Sequence, residues 1–325
     1  MKVCIYGAGA IGGWIASALA RAGCRVSVVA RGATLDALQL HGLRLREGHA
    51  AVTSQAVASS ASPAELGVQD LVVLAVKAPS LPEVARQIAP LLGLDTIVLT
   101  AMNGVPWWFL QSFGGALAGT RLTCVDPAGE LARAIPARNI VGCVVHAGCS
   151  VQEPGLICHH FGNGLILGEP SGEKTGRVYQ LAALLQKAGF QAQVSEQIQN
   201  DIWFKLWGNM TVNPVSALTG ATTDLIMNDD LVRGFISSVM FEAKEIGARI
   251  GIAIAQQPED RHNITRKLGP FKTSMLQDVE SGRPVELDAL VGAVRELGQL
   301  TGVATPYTDA LLGLARLQAR VRGLY

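Results

Sequence analysis

Near the N-terminus, Gly7-Ala8-Gly9-Ala10-Ile11-Gly12 spells GxGxxG directly after the apolar run Val3-Cys4-Ile5-Tyr6 and ahead of a helical pattern. In that context Gly7 permits a tight turn, Gly9 lets the backbone approach a pyrophosphate, and Gly12 lets a helix pack closely on a strand. The free N–H groups of Ala8, Ala10 and Ile11 and the dipole of the following helix suit the negative charge. Dinucleotide binding is the chemistry implied, with a purely structural glycine turn as the alternative. At the end of the next apolar run, an NAD enzyme normally offers Asp or Glu to the ribose hydroxyls. This chain has Ala30-Arg31-Gly32 instead. An arginine there can pair with a 2′-phosphate, and the missing acid removes the repulsion that would exclude one. NADPH is therefore the expected cofactor; a solvated loop arginine is the competing reading of Arg31.

A second concentration of polar residues is Lys205, Asn209 and Asn213, at i, i+4 and i+8 within Trp203-Phe204-Lys205-Leu206-Trp207-Gly208-Asn209-Met210-Thr211-Val212-Asn213-Pro214. A helix stacks these three on one face, framed by aromatic and aliphatic neighbours. Asn is a poor helix former, and a merely solvated face would more readily carry Glu, Lys or Gln. Lys77 and Asn103-Gly104 follow two further apolar runs, at the carboxyl ends of strands where open α/β sheets collect ligands. A snorkelling surface lysine and an Asn-Gly turn are the plainer readings of those two positions. The six histidines show no ligand spacing beyond adjacent His159-His160, which cannot readily converge on one ion, so no metal is expected.

The elements needed to position these residues can be read from the periodicity. Residues 2–6, 26–30, 71–76 and 96–100 read as buried strands, with helical patterns over 13–22 and 81–92. Strands alternating with helices predict a parallel, doubly wound α/β sheet of Rossmann type. Residues 141–145, 155–159 and 165–167 read as antiparallel or edge strands completing it, and a helix follows over 175–188. Beyond residue 194 only helical periodicity is found, over 197–218, 229–250, 258–280 and 284–320. The expectation is a dinucleotide-binding domain at 1–194 and an all-α substrate domain at 195–325.

Composition bounds the function. Hydrophobic residues make up 49% and charged residues 16%, which excludes a disordered chain. Twenty-seven basic and 26 acidic side chains leave a formal charge of +1, so no basic field exists to attract nucleic acid or an anionic membrane, and any anion must be held locally. The six cysteines form no CxxC pair and read as free thiols of a reducing compartment. With no signal-like start and no apolar run of about 18 residues, a cytoplasmic protein is expected.

Taken together, these residues resemble the ketopantoate reductase (2-dehydropantoate 2-reductase) family along nearly the whole chain. The likeness rests on GAGAIG, Arg31, Lys77-Ala78, Asn103-Gly104, the KLxxNxxxNPxxAL stretch over 205–218, and Ser274-Met275-Leu276-Gln277-Asp278 followed by Glu286. It implies a Rossmann domain joined to a helical one, with NADPH and a 2-oxo acid meeting in the cleft between them. It further implies Lys205 as general acid, with Asn209, Asn213 and Ser274 holding substrate. Asn103 lies beside nicotinamide and substrate, Lys77 and Gly148 are counted with the cofactor contacts, and Glu286 touches the cofactor or orders the site. Hydride addition puts negative charge on oxygen, which a nearby ammonium stabilises and then protonates, so the chemistry agrees. Glu286 has a helix-dipole carboxylate as its plainer reading.

The sequence departs from the family at several positions. Asn103-Gly104 is followed by Val105-Pro106-Trp107-Trp108, a proline and two indoles expected either to reshape the nicotinamide end of the pocket or to pack in a core. A position beyond the NP motif that is often Asn is Thr223, a Gln after the lysine is Ser80, and residues 116–139 look longer than usual. Reduction of ketopantoate is the first reading, the same chemistry on another branched or bulkier 2-oxo acid the second, and a non-enzymatic NADPH-binding regulator the third. A regulator would need no proton donor such as Lys205. A small-molecule 2-oxo acid is the expected partner, and a homodimer is left open.

Overall fold

The computed structural model describes residues 1–325. By contacts the chain divides into two units, Met1–Met102 with Gly129–Ile198, and Asn103–Ala128 with Gln199–Tyr325. The expected division at residue 194 treated the domains as consecutive. The difference is the excursion Asn103–Ala128, which carries the two buried indoles Trp107 and Trp108 and groups with the helices.

The first unit is built on strands β1 (Lys2–Tyr6), β2 (Arg25–Val29), β3 (Leu43–Glu47), β4 (Thr53–Gln55), β5 (Ala58–Ser60), β6 (Leu71–Leu74), β7 (Ile97–Thr100), β8 (Ile140–Glu153), β9 (Leu156–Gly168) and β10 (Gln191–Val194). They run in the order β4-β3-β9-β8-β7-β6-β1-β2-β5, with β10 beside β9. All neighbouring pairs are parallel except β3/β4 and β8/β9. Helices α1 (Ala10–Arg21), α2 (Gly32–His41), α3 (Leu81–Gln87), α4 (Glu130–Ala134) and α5 (Gly176–Lys187) connect them. Strands β1, β6 and β7 are near-continuous apolar runs because a parallel sheet is covered on both faces. Ile5, Val73, Leu99, Leu165 and Leu185 meet in one core. The short β segments expected over 141–167 are two long strands, joined as a hairpin whose register shifts at His146–Gly148.

The second unit is helical: the body of α6 (Ile198–Thr219), then α7 (Thr223–Asn228), α8 (Asp230–Arg249), α9 (Pro258–Arg266), α10 (Ser274–Glu280), a π-helical turn at Asp288–Gly292, α11 (Ala293–Thr301) and α12 (Pro306–Val321). Trp203 and Trp207 of α6 are buried and donate their indole N–H groups to the α8 carbonyls of Ala243 (3.3 Å) and Met240 (2.8 Å). Those bonds fix the rotation of α6 about its axis, and so decide where the opposite face, with Lys205, Asn209 and Asn213, is presented. No helix of the protein is long and apolar enough to cross a membrane.

Candidate active site

Gly7 to Gly12 form the turn from β1 into α1. Gly7 has φ +98°, and a Cβ there would lie 2.7 Å from Val76 Cγ1. A Cβ on Gly12 would overlap the Gly7 carbonyl oxygen, whereas one on Gly9 would meet nothing within 4 Å. The first and third glycines thus close the turn, and the middle one leaves open space in front of the α1 N-terminus. Helix α1 starts at Ala10, and its first intrahelical bond runs from Gly13 N–H to Gly9 carbonyl (2.8 Å). The first turn therefore offers N–H groups with no partner inside the helix. An open, glycine-floored space at such an end fits a pyrophosphate.

Arg31 caps α2 immediately past β2, with no carboxylate in the Ala30-Arg31-Gly32 segment. Its guanidinium is held instead by Glu83 of α3, which also accepts from Gln87 (3.3 Å). The arginine side chain is 61% exposed. A phosphate at this position would therefore compete with a carboxylate already in place, which the sequence reading did not foresee. Lys77 follows β6 and precedes a 3-10 turn at Ala78–Ser80. Gly148 has a packing role of its own. It lies in β8 opposite Phe161, where a Cβ would meet the phenyl ring at 2.5 Å, so strand packing accounts for the missing side chain.

In the second unit, Lys205 Nζ donates to Asn103 Oδ1 at 2.9 Å, joining the ammonium of α6 to the first residue of the excursion. Two observations show how Asn103 is held. Gly104, at φ +81°, packs so closely on the π-helical turn that a Cβ would lie 2.6 Å from the Ala289 carbonyl oxygen. The next residue, Val105, donates its N–H to that same carbonyl at 2.8 Å. Glu286, 8% exposed, lies just ahead of this turn. Asn213 is buried and Asn209 half-buried on α6, while Ser274 is the exposed first residue of α10, behind the N-cap Thr273. One site thus assembles Asn103 and Lys205 directly, with Asn209 and Asn213 along the same helix.

Trp107 and Trp108 are core residues, 3% and 0% exposed, and neither indole N–H has a hydrogen-bond partner. Thr223 spends its hydroxyl locally: it donates to the Gly269 carbonyl at 2.6 Å and accepts from Phe271 N–H at 3.2 Å. Two residues escaped sequence reading. Glu296 of α11 accepts from the N–H groups of Thr123 (2.7 Å) and Cys124 (2.9 Å), pinning the excursion. Burial raises its pKa, but hydrogen bonds from Cys124 and Thr123 outweigh that and hold it below the ordinary carboxylate range. The other is Arg261 of α9, whose guanidinium lies against Gly208; a glycine inside α6 was the one available signal.

A family model described as "Ketopantoate reductase PanE/ApbA" matches residues 3–172, and one described as "Ketopantoate reductase PanE/ApbA C terminal" matches residues 197–319. A curated 2-dehydropantoate 2-reductase of Mesorhizobium japonicum is 49% identical over the full length of both chains. The crystal structure of a putative ketopantoate reductase from Ralstonia solanacearum superposes with a TM-score of 0.96 at 56% identity, covering 100% of this chain and 99% of that one. A 2-dehydropantoate 2-reductase structure from Geobacter metallireducens gives 0.86 at 27% identity, covering 98% and 100%. With both halves of the chain matched and a glycine turn, a lysine and an asparagine in the places described, this chain belongs to the ketopantoate reductase family of oxidoreductases.

Proposed function

We propose that this chain is a cytoplasmic, NADPH-dependent reductase that converts 2-dehydropantoate (ketopantoate) to pantoate, a step of pantothenate biosynthesis. The observation that carries the reading is the Lys205–Asn103 hydrogen bond, which holds an ammonium at a residue following a strand of a dinucleotide fold. NADPH, when bound, supplies the hydride for C2 of the substrate. The Gly7–Gly12 turn would hold the pyrophosphate, Arg31, released from Glu83, would hold the 2′-phosphate, and Lys77, just past β6, would be a further cofactor contact. Lys205 stabilises the negative charge growing on the C2 oxygen and gives it a proton, completing the alcohol. Asn103 fixes the position of Nζ. Asn209, Asn213 and Ser274 orient the substrate without neutralising the ammonium, and Glu286 is a positioning residue of the same unit.

A second reading, the same chemistry on another branched 2-oxo acid, draws support from Thr223. Its hydroxyl is engaged with Gly269 and Phe271, so it offers less to a hydroxylated substrate than a free amide would. Steady-state NADPH oxidation with ketopantoate, 3-methyl-2-oxobutanoate and bulkier 2-oxo acids separates the two. Highest kcat/KM on ketopantoate supports the first reading, preference for an unhydroxylated acid supports the second, and no oxidation with any 2-oxo acid refutes both.

A further inference from the structure

The segment from Val285 to Ala289 is held by the residues that follow α12. Gly323, at φ +68°, turns the chain off that helix, and Leu324, 5% exposed, donates its N–H to the Ala319 carbonyl at 2.8 Å. The Leu324 carbonyl then accepts from Val285 N–H at 3.1 Å, one residue ahead of Glu286. Tyr325 secures the other end: its hydroxyl donates to Asp288 Oδ1 at 2.7 Å, on the first residue of the π-helical turn. A bond at each end thus fixes the stretch that carries Glu286 and opens the turn.

That stretch is also where Asn103 takes its position. The Ala289 carbonyl, next in the chain to Asp288, receives Val105 N–H at 2.8 Å and leaves no room for a side chain at Gly104. Asn103 precedes both, and its Oδ1 accepts from Lys205 Nζ at 2.9 Å. The Tyr325 ring is itself braced, with Arg320 Cζ 5.3 Å from its centroid, a cation over an aromatic face. Burial and then the Asp288 carboxylate push the phenol up to about 12, against the pull of Arg316 and Arg320, so the hydroxyl keeps its proton and remains a donor through the neutral range. Hydrogen bonds to an ionised acceptor are stronger than neutral ones, and π-helical turns are rare and gather at functional sites. A phenol tied to the first carboxylate of such a turn restrains it from outside its own backbone ladder.

We propose that Tyr325 is a positioning residue for the reaction: through Asp288 it sets the π-helical turn against which Asn103, and with it the ammonium of Lys205, is placed. The proposal rests on the reductase reading above. Tyr325 acts only through other residues and takes no part in proton or hydride transfer.

The test measures NADPH oxidation with ketopantoate and 3-methyl-2-oxobutanoate, across pH, in the wild type, Tyr325→Phe, Asp288→Ala and Asp288→Asn. Tyr325→Phe keeps the ring under Arg320 and removes only the hydroxyl; it should lower kcat about threefold to tenfold while moving KM by less than about twofold. Asp288→Ala should do the same, and Asp288→Asn, whose amide oxygen still accepts from the phenol, should return kcat to within about twofold of the wild type. A hydrogen bond to the ammonium favours the charged lysine, so misplacing Asn103 should move the alkaline limb of the pH–rate profile to lower pH by up to about one unit. In an Asn103→Ala background, Tyr325→Phe should cost less than about twofold further. Unchanged kcat in Tyr325→Phe overturns the proposal. So does a loss of kcat with the alkaline limb unmoved, or one that is fully additive with Asn103→Ala, since either would make Tyr325 a residue of stability alone. If Asp288→Ala does not fold, Tyr325→Phe and Asp288→Asn carry the test. A wild type that oxidises NADPH with neither acid overturns the reductase reading beneath the proposal, so the two failures are distinct.

Discussion

Replacing Gly104 by alanine should damage the reaction without touching either reacting group. The added Cβ would meet the Ala289 carbonyl oxygen, carbon and Cβ at 2.6, 2.7 and 2.8 Å. Two of those atoms are backbone of a π-helical turn and cannot swing aside. Relief to ordinary contact at 3.4 Å requires the loop and the turn to part by about 0.8 Å in a close-packed interior. The hydrogen bond from Val105 to Ala289 opposes that separation, and φ +81° adds strain of about 1–2 kcal/mol. If the displacement reaches Asn103, its 2.9 Å bond to Lys205 is stretched past hydrogen-bonding distance. A misplacement of about 1 Å can cost on the order of 10² in rate. We therefore expect kcat for reduction to fall about tenfold to a hundredfold, and NADPH affinity by fluorescence titration to change less than that, since the glycine turn belongs to the other unit. Thermal unfolding should show a smaller stability. In an Asn103→Ala background, Gly104→Ala should cost little further, because both act through one contact. Wild-type kcat in Gly104→Ala, or full additivity of the two changes, would refute the positioning role of the π-helical turn.

Lys205→Ala should lower kcat by about 10² to 10⁴ and abolish the alkaline limb of the pH–rate profile, with NADPH affinity retained; near-normal turnover would refute the general-acid role. Arg31→Ala should weaken NADPH about tenfold to a hundredfold with little change for NADH, whereas Glu83→Gln should strengthen NADPH by removing the competing carboxylate; titrations showing equal effects on both dinucleotides would contradict this pairing. His262 is buried, with Nε2 2.8 Å from Ser237 Oγ, and burial together with nearby Arg266 and Arg233 lowers its pKa from 6.5. The unfolded chain then takes up a proton that the folded chain refuses. Stability from this group is full above the unfolded value and is lost as pH falls through the folded one. Denaturant midpoints at about pH 7.5 and about pH 5.5 should differ less in His262→Gln than in the wild type.

What the sequence made legible was whatever is written locally. Gly7, Gly9 and Gly12 signal a dinucleotide turn because their roles depend on immediate neighbours, and Lys205 with its two asparagines shares a face by spacing alone. Residues 32–60 fold as α2 and three short strands that the periodicity missed: Thr53–Gln55 and Ala58–Ser60 are too short and too polar to show alternation, and Ala58–Ser60 takes its pairing from β2, some 30 residues earlier. Trp107 and Trp108 were legible as bulky, with pocket lining and core packing both open from sequence, and the structure puts them in the core. Arg261 was invisible for a related reason. It is one charged residue in a polar helix until Gly208, remote in sequence, is seen beneath it. The same holds for Glu83, whose hold on Arg31 qualifies the cofactor reading without reversing it.

The placement of the indoles has an optical consequence. Trp107, Trp108, Trp203 and Trp207 are all buried in the second unit, and the fifth tryptophan, Trp14, is in the first, stacked at 5.2 Å on His159. Intrinsic emission therefore reports overwhelmingly on the helical unit, from rings held away from water, while the first unit contributes one fluorophore with an imidazole stacked against its face. A denaturation curve followed by tryptophan emission alone would trace the loss of the helical unit and largely pass over the unit built on the sheet. Far-UV dichroism recorded alongside it would reveal whether the two units melt as one, since a two-state transition requires the probes to coincide.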